Sequence, residues 1–261
     1  MPSNCQEEIE VNQNFKAFVF DAYGTLYDVQ SVEATVEAAF PGKGSLITSV
    51  WRMKQLEYSW LVTLMERYED FWSLTLRSLN YTLRSLGLSA DSQLLQDVAA
   101  AYLDLKPYDD ARSCLERLQP RRRAILSNGS RSMLSSLTAN SGLHQLLDNI
   151  LSVDVARVFK PAPQAYRLVD EELGVARDQV VFVSSNGFDI CGAKSFGFTV
   201  VRVARFGGEN IKEQMARSEM GGRILYHLMR GSAEALDYPA DFTVRSLSEI
   251  PDLFSNQERK G

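Results

Sequence analysis

The sequence is poor in cysteine and histidine and contains no long apolar run. Its three cysteines, Cys5, Cys114 and Cys191, are an odd number at unrelated spacings, typical of neither a disulfide framework nor a metal site. With two histidines and no Gly-x-Ser-x-Gly sequence, a serine hydrolase is excluded. A membrane-spanning helix needs about 18 or more consecutive apolar residues, and no such stretch occurs.

Positive charge is also scarce. There are 28 Lys and Arg residues against 33 Asp and Glu, and the net charge of −5 argues against nucleic-acid binding. The opening residues 1–15 are polar and acidic, without the basic start and apolar stretch of a signal peptide. We therefore expect a cytoplasmic protein that binds neither nucleic acid nor membrane. If it binds a small anion, its few useful positive charges must be concentrated locally.

What the sequence does contain is an alternation of apolar strands and helices. The run 15–20 reads as a buried strand, and it ends at Asp21 before a turn that includes Gly24. The later elements follow the same pattern. Strands are predicted at 123–128, 180–184, 199–203 and 242–244, and helices at 109–118, 130–140, 162–173, 188–196 and, as a pair, 206–238. Apolar strands that alternate with helices predict an α/β fold with a parallel sheet.

One long block interrupts this alternation. Residues 31–105 carry amphipathic helical stretches at 47–65, 70–86 and 92–105, and Gly87 is placed to end the middle one. We expect an all-helical domain at 28–106, inserted into a core domain formed by 1–27 and 107–261.

Polar residues stand where three of the predicted strands end. These positions are Asp21, the pair Ser127 and Asn128, and the pair Ser184 and Asn186. In open α/β sheets the site lies beyond the carboxyl ends of the strands, so we expect these side chains to converge. Taken alone, Asp21 is equally consistent with an ordinary helix or turn cap.

The wider constellation resembles the haloacid dehalogenase superfamily. Order and spacing of the motifs match from about residue 15 to residue 203. Asp21-Ala22-Tyr23-Gly24-Thr25 resembles the first motif, Ser127-Asn128 the second, Lys160-Pro161 with Tyr166 the third, and Ser184-Ser185-Asn186-Gly187-Phe188-Asp189 the fourth. Trp51-Arg52-Met53-Lys54-Gln55-Leu56-Glu57-Tyr58 is similar to the cap helix of the L-2-haloacid dehalogenase branch. The resemblance implies a Rossmann-like core with an inserted helical cap, and a homodimer.

Tyr23 favours the dehalogenase branch. Phosphatases of this superfamily have a second aspartate at this position, which protonates the leaving alcohol, and a tyrosine does so less readily. They also bind magnesium through acidic residues in the fourth motif, where this chain has Ser184 and Ser185. A halide needs neither a proton nor a metal in order to leave, so we expect no metal and no cofactor.

The resemblance assigns roles to individual residues. Asp21 attacks the α-carbon of a 2-halocarboxylic acid and forms an ester, and Lys160 pairs with Asp21 and keeps it ionised. Arg52 receives the halide with help from Asn128. Asp189, with Asn186 nearby, activates the water that hydrolyses the ester.

The substrate pocket is expected around these groups. Ser127 and the main-chain amides of Ala22 and Tyr23 would hold the substrate carboxylate, while Thr25 and Ser184 would orient Asp21. The expected pocket walls, for which core packing is an equal alternative, are Tyr23, Leu56, Phe71 and Phe188. Tyr166 is also expected among the substrate-binding residues.

Two residues depart from the branch. Met53 stands where glutamine is usual and Phe188 where tryptophan is usual, so the pocket differs in polarity and size. Three alternatives stay open at this stage: a related hydrolase acting on another small 2-substituted acid, such as a strained cyclic amino acid, a phosphatase, and a binding protein without catalysis.

Overall fold

The six strands that the structure describes form one parallel sheet. A computed structural model describes residues 15–205, 226 and 232–255. Within them lies a six-stranded sheet with the strand order β3-β2-β1-β4-β5-β6. The strands are β1 Ala17–Phe20, β2 Arg122–Ser127, β3 Asn149–Ser152, β4 Val180–Ser184, β5 Thr199–Val203 and β6 Phe242–Val244.

Helices connect the strands. The described helices are α1 Glu33–Ala39, α2 Gly44–Leu64, α3 Phe71–Ser85, α4 Ser92–Ala99, α5 Ala111–Arg117, α6 Arg131–Ser141, α7 Pro163–Leu173, α8 Gly187–Phe196 and α9 Ile250–Ser255. Short 3-10 helices lie at Val29–Val32, Ala100–Leu103, Leu143–Leu146, Arg177–Gln179 and Leu247–Glu249. None of the helices described has the length and apolarity to cross a membrane.

The central strands are buried on both faces. Every residue of β1 and β4 is buried, as expected for parallel strands covered by helices on either side. β1 lies between β2 and β4, and the amide of Asp21 continues the ladder by donating to the Val183 carbonyl at 2.9 Å. The backbone of Asp21 is therefore fixed at the carboxyl end of β1, between the ends of β2 and β4.

Helices α1 to α4 lie between β1 and β2 in sequence and cover the carboxyl edge of the sheet. The two ends of this segment are adjacent, because the amide of Asp28 donates to the Lys106 carbonyl at 2.8 Å. Helix α2 reaches the loop before α7: the indole of Trp60 donates to the Lys160 carbonyl at 3.2 Å. The α2 helix thus lies over the carboxyl ends of the strands.

Most predicted elements are confirmed, but α1 and α9 were not predicted, and three further differences concern a strand and two predicted helical segments. β3 was not predicted: it is an edge strand whose Ile150 is 37% exposed, so its sequence lacks a buried apolar run. The predicted helix 92–105 becomes a 3-10 helix after Ala99. Residues 232–238 are not helical, and Asp237 has a φ of 57°, which a helix does not allow. The rest of the predicted pair at 206–238, apart from Tyr226, lies outside the described residues.

Candidate active site

Asp21 is held from several directions at the end of β1. It is 4% exposed, and its carboxylate accepts hydrogen bonds on both oxygens. Asn186 Nδ2 donates to Oδ2 at 2.7 Å, Thr25 Oγ1 donates to the same oxygen at 3.1 Å, and Lys160 Nζ donates to Oδ1 at 2.8 Å. This geometry fixes the carboxylate plane and keeps it solvated by protein donors although water has little access.

Lys160 is the positive centre of the site. Its ammonium group also donates to Asp189 Oδ2 at 2.8 Å and to the Leu126 carbonyl at 3.0 Å, so its three hydrogens have three acceptors. Burial alone would lower the pKa of Lys160, but the charges of Asp189 and Asp21 outweigh it and raise that pKa. A lysine between two buried carboxylates stays charged.

Asp189 lies in the first turn of α8 and is completely buried. Tyr166 Oη donates to its Oδ1 at 2.8 Å, while Lys160 occupies Oδ2. Burial, followed by repulsion from Asp21, raises the pKa of Asp189 to about 6, against the opposing effect of Lys160. A carboxylate with that pKa is ionised at neutral pH and is a better proton acceptor than an ordinary aspartate.

The turn after Asp21 leaves few amides free for a ligand. The amides of Thr25, Leu26 and Tyr27 all donate to the Ala22 carbonyl. Of the main-chain amides expected to bind a carboxylate, those of Ala22 and Tyr23 are therefore the remaining candidates.

The end of β2 contributes Ser127 and Asn128. Ser127 Oγ accepts from the Gly129 amide at 3.1 Å and keeps its own hydrogen for another acceptor. Asn128 Oδ1 accepts from the Lys160 amide at 2.9 Å, so its amide nitrogen faces the other way and remains a possible donor. The polar side chains Asp21, Asn128 and Asn186 at three strand ends are thus connected, directly or through Lys160.

Arg52 is buried on α2 and is only 3% exposed. Its Nη1 donates to Gln55 Oε1 at 2.5 Å, and its Cζ lies 5.6 Å from the centre of the Tyr23 ring. Burial would lower the pKa of Arg52, but Tyr226, Tyr102 and Asp21 raise it overall. Helix α2 thus places the positive charge of Arg52 near the strand ends.

The expected apolar walls are partly assembled. Phe71 is fully buried, with its ring centre 5.9 Å from that of Tyr23. Leu56 is buried on α2, and half-buried Phe188 packs edge-on against Trp60 at 5.3 Å. Burial raises the pKa of Tyr23 far above its ordinary value, so this side chain stays an uncharged phenol. Tyr166 does not belong to these walls, because its hydroxyl donates to Asp189.

Ser184 has a different partner from the one expected. Its Oγ accepts from the Asn186 amide at 3.2 Å, so it orients Asn186, which in turn donates to Asp21. Among the hydrogen bonds of the described residues, Ser184 is therefore linked to Asp21 through Asn186.

Sequence reasoning also missed Gln55, Thr75, Tyr102 and Tyr226. Gln55 could have been found, because it follows Arg52 by three positions and residues at that spacing share one helix face. The others lie on separate elements and belong to no motif.

The fold and this edge of the sheet define a parallel α/β hydrolase with a helical insert above the strand ends. A family model described as haloacid dehalogenase-like hydrolase matches residues 15–197. The chain belongs to this family. It is 52% identical over 238 residues, covering 91% of this chain and 94% of the relative, to an (S)-2-haloacid dehalogenase of Xanthobacter autotrophicus.

Solved structures show the same likeness. The structure of L-2-haloacid dehalogenase from Xanthobacter autotrophicus matches with a TM-score of 0.89 and 51% identity, over 92% of this chain and 98% of that one. A second structure of that enzyme, with chloropropionic acid covalently bound, matches equally well: TM-score 0.89, 51% identity and the same coverage.

Proposed function

We propose that this protein is an (S)-2-haloacid dehalogenase. It hydrolyses small 2-halocarboxylic acids to (R)-2-hydroxy acids, halide and a proton, through an ester on Asp21. The observation that carries the proposal is the pairing of an oriented, buried Asp21 carboxylate with Lys160, beneath the positive charge of Arg52. The similarity to an (S)-2-haloacid dehalogenase, whose likeness extends to a structure with chloropropionic acid covalently bound, supports the substrate class.

In the first step, an oxygen of Asp21 forms a bond to the α-carbon while the carbon–halogen bond breaks with its electron pair on the halide. Backside attack inverts the configuration at that carbon. Ser127 Oγ and the amides of Ala22 and Tyr23 would hold the substrate carboxylate as oriented donors hold other anions. Arg52, with the amide of Asn128, would receive the halide, which needs no proton.

In the second step, water attacks the carboxyl carbon of Asp21 and Asp189 accepts its proton. Forming the ester removes the Asp21 charge, one of the two effects that raise the pKa of Asp189, so Asp189 is more fully ionised when it is needed. Thr25, Asn186 and Lys160 already donate to the Asp21 oxygens and can stabilise the negative charge that develops there. Collapse releases the hydroxy acid and restores the carboxylate.

We propose that the reaction uses no metal ion and no cofactor. The carboxylates of Asp21 and Asp189 share the ammonium of Lys160. This side chain therefore already occupies the position between the two carboxylates that a bridging metal cation would take. Tyr23, Ser184 and Ser185 supply no carboxylate in its place. Activity should survive exhaustive chelation, and loss that magnesium restores would contradict this proposal.

We also propose the division into a core, 1–27 and 107–261, and a cap, 28–106. It is supported by the absence of described strands in 28–106 and by the hydrogen bond that joins Asp28 to Lys106. Homodimer formation rests on the family resemblance alone. A cytoplasmic location is supported by Cys114 and Cys191, which are buried free thiols.

The deciding experiment is halide release from the separate enantiomers of 2-chloropropionate and 2-bromopropionate, with chiral analysis of the product. We expect release from the S enantiomer only, with R-lactate formed. Release of phosphate from phosphate esters without halide release would instead favour a phosphatase. Hydrolysis of a strained cyclic amino acid would favour the related hydrolase.

A further inference from the structure

One turn of helix α2 binds the main chain that carries Lys160. Thr63 Oγ1 accepts a hydrogen bond from the Phe159 amide at 3.1 Å, and Trp60 Nε1 donates to the Lys160 carbonyl at 3.2 Å. Trp60 and Thr63 are three positions apart, so they lie on one face of the helix. This face therefore binds two consecutive residues of the segment before α7, and Lys160 is one of them.

The hydrogen bond at Thr63 has a fixed direction. The Thr63 hydroxyl donates to the Ser59 carbonyl at 2.8 Å, one turn back in the same helix, and so presents a lone pair to the Phe159 amide. Phe159 is completely buried, and a buried amide that loses its acceptor costs free energy. The backbone at Phe159 is therefore bonded to α2 and not only packed against it.

Aromatic residues of the helical insert strengthen the same contact. The Tyr68 ring stacks on the Phe159 ring, with the two centres 5.2 Å apart. The Trp60 ring packs edge-on against Phe188 at 5.3 Å, and Phe188 directly precedes Asp189. The insert therefore contacts both core segments whose charged side chains meet in the buried ion pair.

The remaining polar groups of Lys160 are held from the core. Its amide donates to Asn128 Oδ1 at 2.9 Å, and its ammonium donates to Asp21 Oδ1 and to Asp189 Oδ2, each at 2.8 Å. The side chain thus extends from a main chain held partly by α2 to two carboxylates held by the sheet and by α8. Because both ionic hydrogen bonds are short, a displacement of this main chain would lengthen at least one of them.

We propose that Thr63 and Trp60 are positioning residues that hold Lys160 where its ammonium reaches both carboxylates. The inference rests on the proposed function, in which Asp189 accepts a proton from water while the ester on Asp21 is hydrolysed. Thr63 and Trp60 act through the main chain before α7 and not on the reacting atoms. The helical insert is then part of the machinery that sets the charge balance of the site.

This role has a signature in the pH dependence of ester hydrolysis. The groups that face Asp189 are Lys160, through its ammonium, and Tyr166, through its hydroxyl. Asp21 is the third such group, and it is uncharged in the ester. Lys160 lowers the pKa of Asp189, so an ammonium that moves away lets that pKa rise, by about one unit for an opposite charge at this distance. Hydrolysis should then fall at a higher pH than in the parent enzyme.

Two variants remove the contacts by different losses. Thr63→Val keeps the shape of threonine without its hydroxyl, whereas Thr63→Ser keeps the acceptor for the Phe159 amide and should rescue the role. Trp60→Phe removes the indole N–H that donates to the Lys160 carbonyl but keeps an aromatic ring beside Phe188. Agreement between Thr63→Val and Trp60→Phe would exclude an effect peculiar to one substitution.

The matched control is Tyr68→Phe. The Tyr68 hydroxyl donates to Asp154, so this variant also loses a hydrogen bond between the insert and the core, but not one to Phe159 or Lys160. Decay of the ester formed from (S)-2-chloropropionate is followed in a single turnover by mass spectrometry, from pH 4 to pH 9. Circular dichroism at each pH gives the folded fraction. The midpoint is the readout, because partial unfolding reduces the amount of reacting enzyme and not the pKa of the folded form.

We expect Thr63→Val and Trp60→Phe to raise the midpoint of the fall in rate at low pH by about one pH unit. Thr63→Ser and Tyr68→Phe should keep the midpoint of the parent. An unmoved midpoint in Thr63→Val and Trp60→Phe would overturn the inference. An equal shift in Thr63→Ser or Tyr68→Phe would overturn it as well, because any loosening of the insert would then have the same effect. A parent enzyme that forms no ester would contradict the proposed function instead.

Discussion

Lys160 and Asp189 form a completely buried ion pair, with 2.8 Å between Nζ and Oδ2. The same ammonium group reaches Asp21, so the two acidic side chains of the site share one positive charge. Burial of such groups is costly unless each is paired, and here the pairing sets which of them can accept a proton.

The first prediction concerns pH. The pKa of Asp189 is raised to about 6, so below that pH this side chain becomes protonated and cannot accept a proton from water. Ester hydrolysis should be constant above pH 7 and fall about tenfold per pH unit well below the midpoint. The midpoint should lie at or below 6, because the ester lacks the Asp21 charge. Single-turnover decay of the ester, followed by mass spectrometry, measures this, and Asp189→Asn should accumulate the ester. A flat rate from pH 4 to pH 8 would contradict the assignment.

The second prediction concerns Lys160→Met. Removing the ammonium leaves two buried carboxylates facing each other, which we expect to cost roughly 3 kcal/mol of unfolding free energy and to abolish turnover. Repulsion raises the pKa values of the pair in the folded variant, so the loss should be larger at pH 8 than at pH 5. Adding Asp189→Asn should recover part of the stability but no activity. Urea denaturation at both pH values is the measurement, and an equal loss at each would argue against the charge explanation.

The strand-end residues could be predicted because their positions follow from local rules. An apolar run, a turn glycine and a polar residue between them place Asp21 at the edge of any parallel sheet, and the same holds for Asn128 and Asn186. The surroundings of Arg52 could not be predicted in this way. Tyr102 approaches it from a separate element, through packing that no spacing along the chain encodes.

The strand β3 shows the same limit for the fold. Its pairing with β2 is set by tertiary structure, while its own residues lack the apolar run that marks a buried strand. Edge strands have one partner and one open side, so selection for burial leaves a weaker sequence pattern on them.

The third prediction concerns Gln55→Glu. The change is nearly isosteric, and it replaces the neutral acceptor of Arg52 with a carboxylate. Arg52 would then form an ion pair with the new carboxylate on the same helix, α2, and would attract a halide less. Halide release should therefore slow roughly tenfold or more. Thr75→Val is a milder comparison, because the Gln55 amide donates to Thr75 Oγ1 and the change frees it without adding charge. Single-turnover halide release measures both, and a Gln55→Glu enzyme as fast as the parent would exclude Gln55 from this function.

The fourth prediction concerns Gly192→Ala on α8. A Cβ on residue 192 would lie 2.3 Å from Tyr166 Oη and 2.7 Å from Cβ of Pro161, so Tyr166 must move away from Asp189. Alanine normally favours a helix over glycine by about 1 kcal/mol, so any destabilisation arises from this clash. We expect ester hydrolysis to slow roughly tenfold while ester formation is nearly unchanged. The pair Gly192→Ala with Tyr166→Phe should recover part of the stability, because the contact with Pro161 remains, but not the hydrolysis rate. Full recovery of that rate would show that the Tyr166 hydroxyl does not support Asp189.

The last prediction concerns the source of the product oxygen. If Asp21 is the nucleophile, the first new bond to the substrate carbon comes from a carboxylate oxygen, and water attacks only the resulting ester. In one turnover with excess enzyme in heavy-oxygen water, the hydroxy acid should carry ordinary oxygen, and the label should appear in Asp21. Trypsin cuts after Lys16 and Lys43, so residues 17–43 form the peptide to analyse, and fragmentation distinguishes Asp21 from Asp28.

Stereochemistry cannot replace this measurement, because direct attack by an activated water would also invert the α-carbon. A second turnover provides the internal control: once Asp21 carries the label, later products should contain heavy oxygen. Heavy oxygen in the product of the first turnover, with none in the peptide, would mean that Asp21 acts as a general base. Asp21 and Asp189 would then compete to activate the same water, although Lys160 holds both as its acceptors. The covalent route instead gives each carboxylate a separate step, which agrees with their different hydrogen-bond partners.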